Sequence, residues 1–289
     1  MDRENPATVN DAINLIKNEL KDIYPAREIR GFSELIFDHL LNYSPTDILI
    51  SNNTKLSDTE FLQIKEIINQ LHHHKPIQYI LGEAWFYGLR LQVSADVLIP
   101  RQETEELVKW VISDAGTDPL RVLDIGTGSG CIAIALALNL PLSNIIATDI
   151  SEKAVQLAEK NAVESGAEIR FIAEDIFAPV IVKSEKYDII VSNPPYVTES
   201  EKRLVDKNVL HYEPLAALFV PDSQALIYYE AITALAREVL NPGGRIFFEI
   251  NENKRDEMDQ LLKRQMFSEI EIKKDINGKF RMAKAVLRA

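Results

Sequence analysis

Hydrophobic residues in the first quarter of the chain recur at the spacing of one helix face. Apolar side chains lie three or four positions apart within residues 13–23, 35–41 and 61–71, which places them on one side of a helix. Pro76 ends this pattern, because proline lacks the N–H group that continues a helix. We predict a small helical bundle over residues 1–75 as a first domain.

The pattern changes to that of a strand over residues 76–100. Leu89, Leu91 and Val93 alternate with polar residues, which indicates a half-buried strand, and nearby glycines indicate a turn before it. We predict a β-hairpin linker over this range. The acidic residues that follow Pro100 are typical of the first turn of a helix, where the helix dipole favours negative charge.

Strand and helix patterns alternate through residues 101–289, the predicted main domain. This alternation predicts an α/β fold with a mostly parallel sheet and helices on both faces. A closing hairpin around Asn277-Gly278 requires one antiparallel strand. The predicted strands cover residues 121–125, 144–150, 169–173, 187–192, 245–250, 268–275 and 281–288, and the helices cover 131–139, 152–165, 224–240 and 254–266.

Composition points to an ordinary folded protein of a reducing compartment. The 289 residues are 46% hydrophobic and 26% charged, enough to bury a core without metals or disulfides. The single cysteine, Cys131, excludes an intrachain disulfide. The N-terminus has no signal-peptide pattern, and the longest apolar run, 131–138, is too short to span a bilayer. We therefore expect a cytoplasmic protein that does not enter a membrane.

The charge balance lowers the expectation of a nucleic-acid substrate. The formal net charge is −12, whereas affinity for nucleic acid comes largely from Lys and Arg that neutralise phosphates. A local basic groove remains compatible with this total.

A glycine-rich loop follows the strand over 121–125 and precedes a helix. The loop reads Gly126-Thr127-Gly128-Ser129-Gly130. Backbone without side chains can approach a ligand closely, and the helix start offers free N–H groups. The spacing is G-x-G-x-G, so the dinucleotide fingerprint fits imperfectly. A loop around the methionine part of S-adenosylmethionine fits better, and a turn without a ligand is the alternative.

Acidic residues end the next two predicted strands. Asp149 lies 19 residues beyond Gly130, where nucleotide folds bind ribose hydroxyls; a helix cap is its alternative role. Asp175 and Ile176 follow the third strand. An acid there can accept from an adenine amino group while an apolar neighbour packs on the ring, and a solvated loop is the alternative.

Asn193-Pro194-Pro195-Tyr196 directly follows the strand over 187–192. It is similar to the motif of methyltransferases that act on planar nitrogens. The Asn193 side-chain oxygen and the Pro194 carbonyl can hold the two N–H groups of an amide or amino nitrogen and aim its lone pair, while Tyr196 packs on the planar group. Proline presets the direction because its φ is fixed, so catalysis by orientation needs no strong base.

Other reactive residue types carry less weight. Three adjacent histidines at 72–74 cannot share one helix face, and we expect no metal site. Cys131 lies in the first helical turn after the glycine loop, where a thiol pKa can fall, although packing is the simpler role.

Several segments together resemble the HemK/PrmC family of release-factor glutamine methyltransferases, and the resemblance covers nearly the whole chain. Gln102 stands where the family usually has proline, and Ile176 where some members carry an aromatic residue. The segments are Pro76–Gly82, Phe86–Gly88, Val97–Glu105, the glycine loop, Asn193–Tyr196 and Glu213–Leu218.

The resemblance implies a class I S-adenosylmethionine-dependent methyltransferase with a Rossmann-like seven-stranded sheet, antiparallel at the last-but-one position. It implies methylation of the glutamine in the Gly-Gly-Gln loop of class 1 peptide chain release factors, with S-adenosyl-L-homocysteine as product and a helical domain that contacts the factor. Asn193–Tyr196 would hold the glutamine. The cofactor would contact Gly126–Gly130, Asp149, Asp175, Ile176 and Asn193, with Arg101, Glu103 and Thr104 lining the site.

Three alternatives remain open. The nearest is the sister family that methylates a glutamine of a ribosomal protein. A DNA or RNA adenine methyltransferase shares the Asn-Pro-Pro-Tyr chemistry but calls for a basic recognition region. A protein that keeps the fold without catalysis would not bind S-adenosylmethionine. We expect a monomer that acts on a protein and does not contact nucleic acid directly.

Overall fold

The computed structural model describes residues 7–288 of the chain. The chain divides into two units, the first within residues 1–82 and 207–212, the second within 83–206 and 213–289.

The first unit is helical, and the predicted bundle is confirmed. Its helices bury one apolar stripe each, including Ile16, Ile36, Ile64 and Leu71, which are fully buried in a common core. Ser57 caps the fourth helix, because its hydroxyl accepts a hydrogen bond from the free N–H of Glu60 at 3.2 Å. The helices are α1 (Val9–Leu20), α2 (Ala26–Leu41), α3 (Pro45–Ile50), α4 (Asp58–His72) and α5 (Ile77–Leu81).

The second unit begins with an antiparallel hairpin of β1 (Glu83–Phe86) and β2 (Leu89–Gln92). Tyr87 and Gly88 form its two-residue turn with φ of 50° and 75°, and two successive positive φ angles are what such a tight turn requires. The hairpin therefore occupies only part of the range 76–100, since α5 precedes it.

The longer of the remaining strands and helices follow the predicted alternation, and β7, β8 and α9 are short elements that were not predicted. The strands are β3 (Arg121–Ile125), β4 (Asn144–Asp149), β5 (Ile169–Ala173), β6 (Tyr187–Ser192), β7 (Val197–Thr198), β8 (Phe219–Val220), β9 (Leu240–Glu249), β10 (Phe267–Lys274) and β11 (Phe280–Leu287). The helices are α6 (Gln102–Ala115), α7 (Cys131–Asn139), α8 (Glu152–Ser165), α9 (Lys207–Tyr212), α10 (Ile227–Val239) and α11 (Arg255–Arg264).

Seven strands form one sheet in the order β10-β11-β9-β6-β3-β4-β5. Strand β11 is antiparallel to both of its neighbours, and the other neighbouring strands are parallel. The predicted sheet, including the antiparallel strand in the last-but-one position, is confirmed.

Hydrophobic cores cover both faces of this sheet. Successive strand residues point to opposite faces, so neighbours such as Val122 and Leu123, or Phe247 and Phe248, belong to different cores. Helices α6 and α7 pack on one face and α10 and α11 on the other. Burial on both sides explains why these strands are nearly continuous apolar runs.

Two predicted boundaries around residue 240 differ from the structure. Helix α10 begins at Ile227, after a 3₁₀ turn over 222–224, and β9 begins at Leu240. The segment 241–244 was predicted to separate a helix from a strand. Instead it lies within β9 as an irregular stretch, because the register with β6 shifts between Tyr187 and Ile189.

The segment between β6 and α10 contains elements too short for periodicity to reveal. Strands β7 and β8 form a two-residue parallel pair. Helix α9 belongs to the first unit, where the Tyr212 hydroxyl donates a hydrogen bond to the His73 carbonyl at 2.8 Å.

Candidate active site

The carboxyl ends of β3, β4 and β6 open on one cavity of about 360 Å³ in the second unit. Ligands of open α/β sheets bind at this edge. Most residues predicted from the sequence lie together in its wall. They are Arg101, Thr104, Gly126, Thr127, Gly128, Ser129, Asp149, Asp175, Ile176, Asn193, Pro194 and Pro195.

Two glycines of the loop line the cavity, and the third permits close packing of neighbouring helices. Gly126 and Gly128 have φ of 76° and 56°, and a Cβ on either would meet no neighbouring atom. Their missing side chains therefore leave room for a ligand. A Cβ on Gly130 would lie 3.0 Å from the Ala158 Cβ and 3.1 Å from Ile134. Gly130 does not line the cavity, and it permits close packing of α7 on α8.

Hydrogen bonds to neighbouring strands fix the shape of the loop. The N–H groups of Gly126 and Thr127 both donate to the Thr148 carbonyl at 2.8 Å. The Thr127 hydroxyl donates to the buried Asp124 carboxyl at 2.6 Å. Burial raises the pKa of Asp124 to about 7, and the nearby carboxylate of Asp149 adds to the rise.

Asp149 joins the loop to the end of β4. One of its carboxylate oxygens accepts from the Gly128 N–H and the other from the Ser151 N–H, each at 2.9 Å. Burial raises the pKa of Asp149 although these bonds oppose the rise. Each carboxylate oxygen has two lone pairs, so both can accept a further hydroxyl from the cavity.

The segment after β5 forms another part of the wall. The Asp175 carboxylate accepts the Phe177 N–H at 2.9 Å. Phe177 packs against Tyr228 with ring centroids 5.1 Å apart, and both rings line the cavity beside Ile176. An aromatic pair therefore lies next to Ile176, the residue that the sequence predicted to pack on the adenine ring.

Asn193 lies at the end of β6 with its amide between the cavity and α6. Its Nδ2 donates to the Thr104 hydroxyl at 3.2 Å. Pro194 and Pro195 continue the wall, whereas Tyr196 lies behind it and donates its hydroxyl to Glu249 at 2.9 Å.

Glu249 is a buried carboxylate that the sequence analysis missed. It is 2% exposed and accepts from Thr104 at 2.6 Å and from Tyr196 at 2.9 Å. Burial raises the pKa of Glu249, and burial beside this carboxylate raises that of Tyr196. The only sequence signal is a single acid inside the apolar strand Phe247-Phe248-Glu249-Ile250.

Two predicted residues at the start of α6, Arg101 and Glu103, have different surroundings. Arg101 lines the cavity and pairs with the buried Glu213 at 2.6 Å, and Glu213 also accepts the Ile99 N–H. Glu103 is not part of the wall, and its carboxylate accepts from the Asn277 side chain at 3.2 Å.

Cys131 packs against the core at the start of α7 and lines the cavity. Burial raises the pKa of its thiol to about 12. The helix start therefore does not lower this pKa, because desolvation of a thiolate outweighs the helix dipole. Within residues 7–288, no cluster of three metal-binding side chains is present. In the same range, no helix combines the length and the apolar character needed to cross a membrane.

The fold and the cavity define the class of the protein. A family model described as "Methyltransferase small domain" matches residues 105–212. A 16S rRNA N2 methyltransferase of T. thermophilus, solved with AdoMet and guanosine, superposes with a TM-score of 0.52 at 18% identity, covering 71% of this chain and 50% of that one. The second unit is a class I methyltransferase domain of the S-adenosylmethionine-dependent type.

The helical unit and the overall sequence narrow the class to a family. A model described as "PrmC N-terminal domain" matches residues 11–82. Proteins named release factor glutamine methyltransferase are 44% identical in Flavobacterium psychrophilum, over 93% of this chain and 95% of the relative, and 44% identical in Bacteroides thetaiotaomicron, over 93% and 97%. The chain belongs to the release factor glutamine methyltransferase family.

Proposed function

We propose that this protein methylates the side-chain amide nitrogen of the glutamine in the Gly-Gly-Gln loop of class 1 peptide chain release factors. The observation that carries the proposal is that Asn193 and Pro194 share one cavity with Gly126, Gly128 and Asp149. The loop side suits a cofactor and the Asn193 side suits an amide. The choice of a release factor as protein substrate is supported by the relatives, which are named release factor glutamine methyltransferases.

The cavity wall fits S-adenosylmethionine. Two glycines leave space beside the backbone, and Asp149 retains lone pairs for ribose hydroxyls. Ile176 and the Phe177–Tyr228 pair offer apolar surface to a planar base, and Asp175 lies beside them. The bound cofactor would supply an electrophilic methyl group on a sulfonium.

Orientation is the chemical task of Asn193 and Pro194. An amide nitrogen is a poor nucleophile because its lone pair is delocalised into the carbonyl group. Acceptance of its two N–H groups by the Asn193 Oδ1 and the Pro194 carbonyl would turn the lone pair toward the methyl carbon and favour the transition state. The nitrogen would gain the methyl group as the bond from that carbon to the sulfonium sulfur breaks, the sulfur would leave as a neutral thioether, and the nitrogen would release one proton to solvent.

The helical unit is proposed to contact the release factor outside the Gly-Gly-Gln loop. Leu49 and Ile50 at the end of α3 and Leu62 on α4 are apolar side chains between 62% and 77% exposed. Serine at each position should leave turnover of a short Gly-Gly-Gln peptide unchanged. At least one should raise the KM for the intact factor, and unchanged KM values for all three would contradict this role.

The decisive experiment measures transfer of a labelled methyl group from S-adenosylmethionine to a purified release factor. A copy of the factor with Gly-Gly-Ala in place of Gly-Gly-Gln is the matched control. Label on the first only supports the proposal. No label on either, with cofactor binding intact, would redirect the assignment to a ribosomal protein and then to adenine in nucleic acid.

A further inference from the structure

The carboxamide of Asn193 has two chemically different ends. Its Oδ1 accepts hydrogen bonds and its Nδ2 donates them. A substrate amide nitrogen presents N–H groups, so the site can hold it only if Oδ1 points into the cavity. A rotation of the amide by half a turn would place donor against donor. Some neighbouring group must therefore select one of the two orientations.

Thr104 is the neighbour that makes this selection. Its hydroxyl has a single proton, which it donates to Glu249 Oε2 at 2.6 Å. The same hydroxyl oxygen can then only accept, and it lies 3.2 Å from the Nδ2 of Asn193. An amide turned the other way would bring Oδ1 against the lone pairs of Thr104.

Glu249 in turn fixes the direction of the Thr104 hydroxyl. It accepts from Thr104 through one carboxylate oxygen and from Tyr196 through the other. Thr104 and Glu249 are each 2% exposed, so little bulk water competes for these bonds. The chain of donors runs in one direction, from Asn193 through Thr104 to Glu249.

We propose that Thr104 and Glu249 are positioning residues that hold the Asn193 carboxamide with its oxygen toward the substrate nitrogen. The role rests on the proposed amide methylation, and neither residue contacts the reacting atoms. The three side chains come from the first turn of α6, the end of β6 and the end of β9. The orientation is therefore set by the packed fold and exists before the substrate binds.

The first test compares threonine variants that differ in one group. Thr104→Val keeps the shape and removes the hydroxyl, and should lower kcat roughly 10- to 100-fold with little change in the Kd for S-adenosylmethionine or the KM for the release factor. Thr104→Ser restores the hydroxyl and should recover most of the rate. Thr233→Val is the matched control, since that threonine is fully buried in α10 and its hydroxyl bonds only to helix backbone.

The second test asks whether the two residues act as one unit. Glu249→Gln can donate to Thr104 through its amide, which frees the Thr104 proton to point at Asn193 and opposes the required orientation. Its loss of kcat should resemble that of Thr104→Val. The double variant should then lose no more than the worse single variant, because residues of one unit are non-additive. A loss of kcat in the double variant equal to the product of the two single losses would overturn the coupling.

The third test needs no substrate, so it separates this inference from the proposed function. In protein labelled with ¹⁵N at asparagine, the Asn193 side-chain NH₂ signals are assigned by their loss in Asn193→Ala. Thr104→Val should shift these signals and speed their exchange with solvent, and Thr233→Val should not. Unchanged signals in Thr104→Val overturn the inference. Absence of methyl transfer by the unmodified protein overturns the proposed substrate instead.

Discussion

The two sides of the cavity are built in different ways. The loop side consists of backbone from adjacent residues, Gly126 to Gly130, tied to Asp149 on the neighbouring strand. The amide side consists of side chains, and one of its hydrogen bonds joins Thr104 to Glu249 across 145 positions of sequence. A ligand on the loop side would contact backbone held in a fixed conformation. A ligand on the amide side would contact the oriented carboxamide of Asn193.

This difference separates binding from turnover. Changes on the loop side should act mainly on cofactor affinity, since the proposed cofactor contacts are made by the loop and by Asp149. Changes on the amide side should act mainly on kcat, because they alter an interaction that is strongest in the transition state.

Asn193→Ala should produce the largest effect. Loss of the Oδ1 acceptor should lower kcat roughly 100- to 1,000-fold, the size seen when one orienting polar group is removed from an active site. The Kd for S-adenosylmethionine should change little, as measured by isothermal titration calorimetry beside the methyl-transfer assay. Equal losses in both quantities would erase the distinction between the two sides.

On the loop side, the buried carboxyl of Asp124 should make the free energy of unfolding depend on pH. Its pKa of about 7 exceeds its unfolded value of about 4. The native state therefore binds one more proton than the unfolded state between these values, and its contribution to stability falls as pH rises through that window. The contribution lost is on the order of 2–4 kcal/mol.

Asp124→Asn removes this titration and keeps an acceptor for the Thr127 hydroxyl. Urea unfolding between pH 4.5 and 8 should show a flatter decline for this variant than for the unmodified chain. Asp118→Asn, at an exposed position of the same unit, should keep the original slope. A slope unaffected by Asp124→Asn would show that this carboxyl titrates normally.

Asp149→Ala should weaken cofactor binding by roughly 10- to 100-fold. The variant loses the proposed ribose contacts and two hydrogen bonds that hold Gly128 and Ser151, each worth about 1.5–3 kcal/mol when one partner is charged. At saturating cofactor, kcat should fall much less. A fall in kcat as large as that of Asn193→Ala would mean that the loop also orients the amide side.

The sequence predicted the loop side more completely than the amide side. The glycines and Asp149 lie in short motifs whose strand-loop-helix context is local, and the alternating pattern was enough to predict the parallel sheet. Glu249 and its bonds to Thr104 and Tyr196 depend on which strand ends meet in space, which periodicity does not specify. Gly130 shows that local motifs are limited too, because motif spacing cannot distinguish a glycine needed for a ligand from one needed for packing.

We expect the smallest effect from the comparison of Gly130→Ala with Gly126→Ala. This comparison separates a glycine needed for packing from one needed for a ligand. Both glycines have positive φ, which costs an alanine about 1–2 kcal/mol. At Gly130 the added Cβ also meets Ala158 and Ile134 near 3 Å, so its loss in the free energy of unfolding should exceed that of Gly126→Ala by roughly 1 kcal/mol. Cofactor affinity should follow the opposite order, because only the Gly126 Cβ would enter the cavity wall. An equal loss of cofactor affinity in both folded variants would mean that the packing of α7 on α8 shapes the glycine loop. The loop side would then depend on contacts between residues distant in sequence, as the amide side does.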